Sequence, residues 1–250
     1  MKRTLVSCNG IWAGLFLARE LGLDRMTRRV VSFVDGQNLF YAARQAFGYT
    51  YPNYDPRRLT QIVSAARGWT VAGIRFYTGV PDLSDNPFWN GFWSARCDVM
   101  WNEGIAPVTR PLRYHNETVD LPGGGKMTAR IGREKGIDVR IALDIVRLAR
   151  SGALDVALVF SQDQDLSEVA NEVRAIARDQ GRWIKMACAF PVGPMYANRR
   201  GIDRTDWIRL DQATYDLAID PRDYRPKTDD MNGGDGTVGR DRPAGWAAVW

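Results

Sequence analysis

The twelve residues Asp155 to Leu166, DVALVFSQDQDL, constrain the chain more than any other stretch. Val156 to Phe160 is a continuous apolar run, the pattern of a strand covered on both faces in a parallel sheet. It stops at Ser161, two carboxylates follow at Asp163 and Asp165, and Leu166, Val169, Ala170, Val173, Ile176 and Ala177 then recur at helical spacing. Acids therefore stand where a buried strand turns into a helix, and in an open α/β sheet that turn lies at the carboxyl edge, where ligands bind. Val30 to Val34 repeats the arrangement, ending in Asp35-Gly36-Gln37-Asn38 before another helical pattern. Two strands thus deliver acids to one edge.

Apolar strand runs and helical patterns alternate along the body of the chain. Helices are expected at Leu39 to Phe47, Pro56 to Arg67 (capped by Asp55), Asn86 to Gly104 and Glu134 to Ser151, and from Leu166 through Arg178. Further strands are expected at Val71 to Tyr77, Ile105 to Tyr114 and Trp183 to Phe190, with Arg204 to Leu210 as a candidate edge strand and Gln212 to Ile219 as a last short helix. This order specifies an α/β fold with a mainly parallel sheet. His115 to Arg133 is polar and glycine-rich, and is read as the longest internal loop, a candidate lid or substrate contact.

Three segments are expected: an N-terminal extension over 1–28, one domain over 29–220, and a flexible Pro/Gly/Asp-rich tail over 221–250 whose apolar end, Gly245 to Trp250, could dock. Lys2-Arg3 and Leu5 to Ala18 have some features of a signal peptide, but Cys8, Asn9 and Gly10 interrupt the apolar region and no small-residue cleavage site precedes Arg19. Met26, just before the first strand, is a natural start.

Charge and composition exclude more than they specify. Of the net charge of +5, four units come from residues 1–29, so the body is close to neutral. No apolar run approaches the roughly 18 residues of a membrane span. Three widely spaced cysteines, Cys8, Cys97 and Cys188, argue against a disulfide framework or zinc site and fit a reducing cytoplasm. The single histidine, His115, excludes a ribonuclease built on a histidine pair. Pro122 to Lys126 is not a P-loop, because Asp120 stands at the first glycine position and Met127 at that of the metal-binding hydroxyl.

A third set of acids lies on the helix from Glu134. Its core stripe is Ile137, Ile141, Ile145 and Leu148, which puts Asp138 and Asp144 on opposite shoulders, each about 60° from the stripe centre. Asp138 sits in the first turn, where the helix dipole favours a carboxylate. Asp144 is half-buried in mid-helix and needs either a basic side chain or a cation.

Three blocks carry a resemblance. Val34 to Asn38, then Glu134-Lys135-Gly136-Ile137-Asp138-Val139 continuing to Asp144 and Ala149, then Ser161 to Leu166, resemble in this order the signature blocks of the NYN branch of PIN-like ribonucleases. The stretch Asp211 to Pro226, with Tyr215, Asp220, Pro221 and Tyr224, is similar to a tail of bacterial members. Gln162 stands where many members carry glycine. The resemblance implies a PIN-like (Rossmannoid) three-layer α/β fold with a mainly parallel five-stranded sheet, divalent-metal binding by carboxylates, and hydrolysis of RNA phosphodiesters.

Elementary electrostatics is consistent with this. Carboxylates about 5 Å apart in an effective dielectric near 20 repel by roughly 3 kcal/mol per pair, so a cluster of them calls for a cation. Oxygen-only donors point to Mg²⁺ or Mn²⁺ rather than zinc. Asp35, Asp144 and Asp163 are assigned as ligands, Asp138 and Asp165 complete the ring, Asn38 orients a phosphate or water, and Ser161 bonds a neighbouring carboxylate. Lys126, Arg130, Arg133 and Lys135 are the candidate RNA contacts.

Phe88, Trp89, Phe92, Trp93 and Trp101 form an aromatic band readable as core, dimer packing or a stacking surface for bases. The expected protein is a cytoplasmic, metal-dependent endoribonuclease, with a homodimer as a candidate assembly and no membrane partner. The alternatives are a catalytically silent RNA-binding or regulatory module, and a phosphatase of haloacid-dehalogenase type. The last needs a second acid where this chain has Gln37.

Overall fold

The structure is a computed structural model and describes residues 27–120, 125–194 and 197–226. Residues 1–26 of the expected N-terminal extension, Met26 included, and the apolar end of the tail lie outside the described residues, and Arg28, the last residue of that extension, is the first of β1. In chain order the elements are β1 (Arg28–Asp35), α1 (Gly36–Phe47), α2 (Pro56–Arg67), β2 (Trp69–Val80), α3 (Pro87–Asn102), β3 (Ala106–Pro111), β4 (Arg113–Asp120), β5 (Lys126–Arg133), α4 (Ile137–Arg150), β6 (Val156–Phe160), α5 (Ser167–Asp179), β7 (Lys185–Pro191), β8 (Asp206–Leu210) and α6 (Gln212–Asp216).

Six strands form the central sheet in the order β3-β2-β1-β6-β7-β8, all parallel. The expected five-stranded sheet is thus extended by β8, the candidate edge strand. Every residue of β6 is buried, as its unbroken apolar run requires. Successive side chains on β1 alternate between two cores. Val30 and Val34 pack with Leu39, Leu59, Phe76 and Trp93 on the α1–α3 face, while Val31 and Phe33 pack with Ile137, Ile141, Ile145 and Val173 on the α4–α5 face.

Local signals explain the helix ends. The Asp55 side chain accepts from the amides of Arg57 and Arg58, Pro56 opens α2, and α1 and α2 end on Gly48 and Gly68 in the left-handed region. Among the described residues no helix is long and apolar enough to cross a membrane.

The segment read as a long loop departs from expectation. Residues 113–120 and 126–133 form an antiparallel ribbon, with Arg113 opposite Arg133 and Asp120 opposite Lys126. The expected strand Ile105 to Tyr114 breaks at buried Leu112, which separates β3 from β4. Among the described residues the two strands of the ribbon pair only with each other, so both its faces could remain polar and its sequence lacked the apolar alternation that marks a strand on a core.

The aromatic band is core. Trp89, Phe92 and Trp93 are buried, and only Trp101 is largely exposed. They surround the fully buried Arg96, whose guanidinium donates to the carbonyls of Pro52 (2.6 Å) and Tyr54 and lies among the rings of Tyr54, Phe76, Phe92, Trp93 and Tyr224. The C-terminal segment is laced to the loop before α2. Asp55 N donates to Ala218 O (2.7 Å), Asp220 N to Asn53 O (2.8 Å), and the buried Tyr215 hydroxyl to Asn53 Oδ1 (3.2 Å). Tyr54 in turn donates through its hydroxyl to the carbonyl of Gly36 (3.0 Å).

Candidate active site

Asp35 ends β1 and caps α1, its Oδ1 accepting from Asn38 N at 3.0 Å. By strand alternation it shares the face of Val31 and Phe33, toward α4. One strand over, β6 ends at Phe160, and Ser161 Oγ approaches Asp35 Oδ2 at 3.4 Å. Asp163 caps a single 3₁₀ turn, Gln164–Leu166, by accepting from Asp165 N at 3.0 Å. Asn38 Oδ1 accepts from Gln162 N at 2.9 Å, which ties the two strand ends together and leaves the Asn38 amide nitrogen as its donor to a ligand. Gln162 donates through Nε2 to Arg200 O at 2.9 Å, so the side chain at the glycine position of the resemblance anchors the 198–201 segment beside the site.

The opposite wall comes from the turn before α4. Gly136 occupies the left-handed region (φ 78°) and stands at the N-cap, so the helix expected from Glu134 starts at Ile137. Glu134 is thereby free to turn back, and its Oε2 accepts from Gly79 N at 3.0 Å. Gly79 has no side chain for good reason: a Cβ there would lie 2.4 Å from Leu112 and 3.2 Å from Glu134 Oε2. Asp35, Gln37, Asn38, Tyr41, Gly132 to Asp138, and Asp163 enclose an open pocket of ≈ 680 Å³ at the carboxyl edge of the sheet.

The carboxylates in this pocket sense one another. Burial pushes Asp35 up to about 6, and the charge of Asp163 adds to the shift against the hydrogen bonds from Asn38 N and Ser161. Burial pushes Glu134 up to about 8, reinforced by the charges of Asp35 and Asp138 and opposed by the Gly79 amide. Among the described residues none of Asp35, Glu134, Asp138 and Asp163 is in a salt bridge.

Asp144 does not join them. It is 2% exposed and faces β2, where Oδ2 accepts from the Tyr77 hydroxyl (2.9 Å), Arg140 Nε (3.1 Å) and Arg75 Nη1 (3.4 Å), and Oδ1 from Arg147 Nη2 (3.2 Å). Of the two partners open to a mid-helix acid, this one has the basic side chains, and its assignment as a metal ligand is withdrawn. Asp165 is exposed and does not line the pocket; its contribution is the backbone N–H that orients Asp163.

Arg133 and Lys135 line the pocket as exposed cations, Arg133 also paired with Glu117 on the ribbon. Lys126 lies at the far end of β5, away from the pocket, and the Arg130 side chain lies outside the described residues. Sequence reasoning passed over Glu134 and Tyr41 as site residues. The signal for Glu134 was Gly136, a poor helix former three residues into the expected helix.

The donor set bears on whether a divalent ion fits. Among the described residues no group of three or more His, Cys, Asp or Glu side chains stands close enough together to hold a metal alone. Mg²⁺, however, keeps several waters and is commonly bound through one or two carboxylates plus substrate phosphate. An all-oxygen, unneutralised pair such as Asp35 and Asp163, flanked by Glu134 and Asp138, fits that mode.

No curated protein matches the chain. A crystal structure of a protein of unknown function from Vibrio parahaemolyticus superposes with a TM-score of 0.45 at 18% identity, over 76% of this chain and 96% of that one. Residues 29–179 match the NYN domain, a span that runs from β1 to the end of α5 and holds both strand-end aspartates and the Glu134 turn. With well over half of its length so matched, and its acids gathered at the carboxyl edge of a parallel sheet, the chain belongs to the NYN domain family of PIN-like nucleases.

Proposed function

We propose that the protein is a metal-dependent ribonuclease that hydrolyses RNA phosphodiester bonds at the pocket of Asp35, Glu134, Asp138 and Asp163, acting in a reducing cytoplasm. The observation that carries the reading is the absence of any basic partner for these four acids among the described residues, while buried Asp144, on the same helix as Asp138, has three and Asp155, at the other end of β6, has two. Asp35 and Asp163 would hold Mg²⁺ or Mn²⁺, with Glu134 and Asp138 on the wall that the α4 turn contributes. A divalent ion there supplies a Lewis acid for the phosphoryl oxygen and lowers the pKa of an attacking water, so hydrolysis needs no histidine.

The chain's own groups set the orientation. Asn38 N and Ser161 fix the Asp35 carboxylate, and Asp165 N fixes that of Asp163. Arg133 and Lys135 draw the phosphodiester to an otherwise negative pocket, and Asn38 offers an amide donor to it. Products with 5′-phosphate and 3′-hydroxyl ends are expected.

Incubation of purified protein with labelled single-stranded RNA and Mn²⁺, beside Asp163→Asn, tests the reading. Cleavage by the parent and none by the variant is the expected result; equal cleavage by both discards it. The absence of a tight three-carboxylate group favours a second reading, a catalytically silent RNA-binding module. That protein would retain RNA in EDTA and cleave none with any metal.

A further inference from the structure

Asp144 is surrounded by more positive charge than it can neutralise. Arg75, Arg140 and Arg147 all donate to this one carboxylate, and among the described residues none of the three has another acidic partner. Some other arginines have a carboxylate each, Arg150 with Glu172 and Arg200 with Asp203, and Asp155 is shared by only two, Arg29 and Arg182. The flank of α4 that faces β2 thus carries about two uncompensated charges.

Helix electrostatics accounts for only part of this. Arg147, in the last turn, complements the C-terminal end of the dipole, but Arg140 lies in the first turn, where the dipole disfavours a cation. Each guanidinium spends one N–H on Asp144 and keeps others. The side chains of Arg140 and Arg147 are 40% and 61% exposed, whereas that of Asp144 beneath them is 3% exposed and also held by Tyr77. The carboxylate is therefore a buried anchor for an outward-facing fork of donors, a geometry suited to phosphate oxygens.

The fork also lies in line with the pocket. Arg75 is opposite Ala106 on the edge strand β3, and Gly79, whose amide holds Glu134, is opposite Arg110. From Arg75 to Gly79 is four strand residues, about 13 Å. Exposed Arg110 shares the sheet face of Ala106 and Val108 and, level with Gly79, continues the basic track from the fork to the pocket end of the sheet.

We propose that Arg75, Arg140 and Arg147, gathered by Asp144, form a phosphate-binding subsite that grips the backbone of single-stranded RNA a few nucleotides from the bond to be cut. This rests on the reading of the pocket as an RNA-cleaving site. It takes Asp144 out of the chemistry and makes it a positioning residue for substrate.

The test is RNA binding measured by fluorescence anisotropy in EDTA, over a series of salt concentrations, for the parent protein, Arg140→Gln/Arg147→Gln, the exposed single change Arg147→Glu, and Arg178→Gln on α5 as a surface control. The double variant is expected to bind about tenfold more weakly, with a slope of log K against log salt shallower by roughly 1.4, the value for two single-strand phosphate contacts. Arg147→Glu should weaken binding while keeping the parent's circular dichroism, and Arg178→Gln should bind as the parent does. Parent-like affinity and slope in both α4 variants overturn the subsite, whether or not the parent cleaves RNA. A parent that neither binds nor cleaves RNA overturns the subsite and the ribonuclease reading together. A parent that binds through these arginines yet cleaves nothing with Mn²⁺ supports the subsite and removes only the catalytic reading. If instead the variants change sedimentation and not RNA affinity, the exposed Val139 and Leu143 on the same helix mark a contact between copies and the proposal fails.

Discussion

Asp138 and Asp144 stand six residues apart on one helix and have opposite surroundings. At 100° per residue they point to opposite shoulders, one toward the pocket and the other toward Arg75 and Tyr77. The shoulders were legible in the sequence, and so were Arg140 and Arg147, four before and three after Asp144. What could not be read was Arg75, 69 residues away on a strand, whose arrival decides between a cation and a basic partner. Asp144→Asn is expected to lower stability by about 1–3 kcal/mol, since it weakens a buried, charge-assisted network. In a thermal-shift measurement it should still be stabilised by Mn²⁺, whereas Asp163→Asn should not. Gly79→Ala tests the support of Glu134: its Cβ must displace Leu112 and crowd Glu134, so a lower Tm and reduced cleavage are expected together.

At the scale of elements, the strands that end in the site were the easiest to recognise, because burial on both faces leaves long apolar runs at Val30 and Val156. The β4–β5 ribbon was the hardest. Arg113, His115, Glu117, Lys126 and Arg133 give it the composition of a loop, and only backbone pairing makes it a strand pair. The start of α4 was misplaced by three residues, and that difference releases Glu134 into the pocket. Gly136→Ala isolates the effect, because a Cβ there meets nothing within 4 Å and only the left-handed backbone is strained. A loss of about 1 kcal/mol in denaturant unfolding is expected, with a larger proportional loss of cleavage as Glu134 and Asp138 shift.

For the whole molecule, the acidic pocket makes stability depend on pH in an unusual direction. Asp35 and Glu134 hold protons more tightly in the folded chain, at about 6 and about 8, than their ordinary 3.8 and 4.5. The folded state therefore binds more protons in that window, and stability is greatest at the acidic end and falls as pH rises toward 8. Tm measured in EDTA from pH 5 to 8 should decline, and Mn²⁺ should restore most at pH 8, where the carboxylates are ionised. A pH-independent Mn²⁺ effect would contradict the shared pocket. The alternation of strands and helices made the parallel sheet legible, but β8 is only five residues long, and its membership as the sixth strand depends on β7 being there to receive it. The lacing of residues 211–226 onto Asn53 and Tyr54 reaches the pocket from behind. Tyr54 supports the carbonyl of Gly36, next to Asp35, and Tyr215 and Ala218 hold the loop that carries Tyr54. A chain truncated before Asp211 keeps every acid of the pocket but lacks the brace behind Asp35, so it is expected to lose thermal stability and its response to Mn²⁺ together.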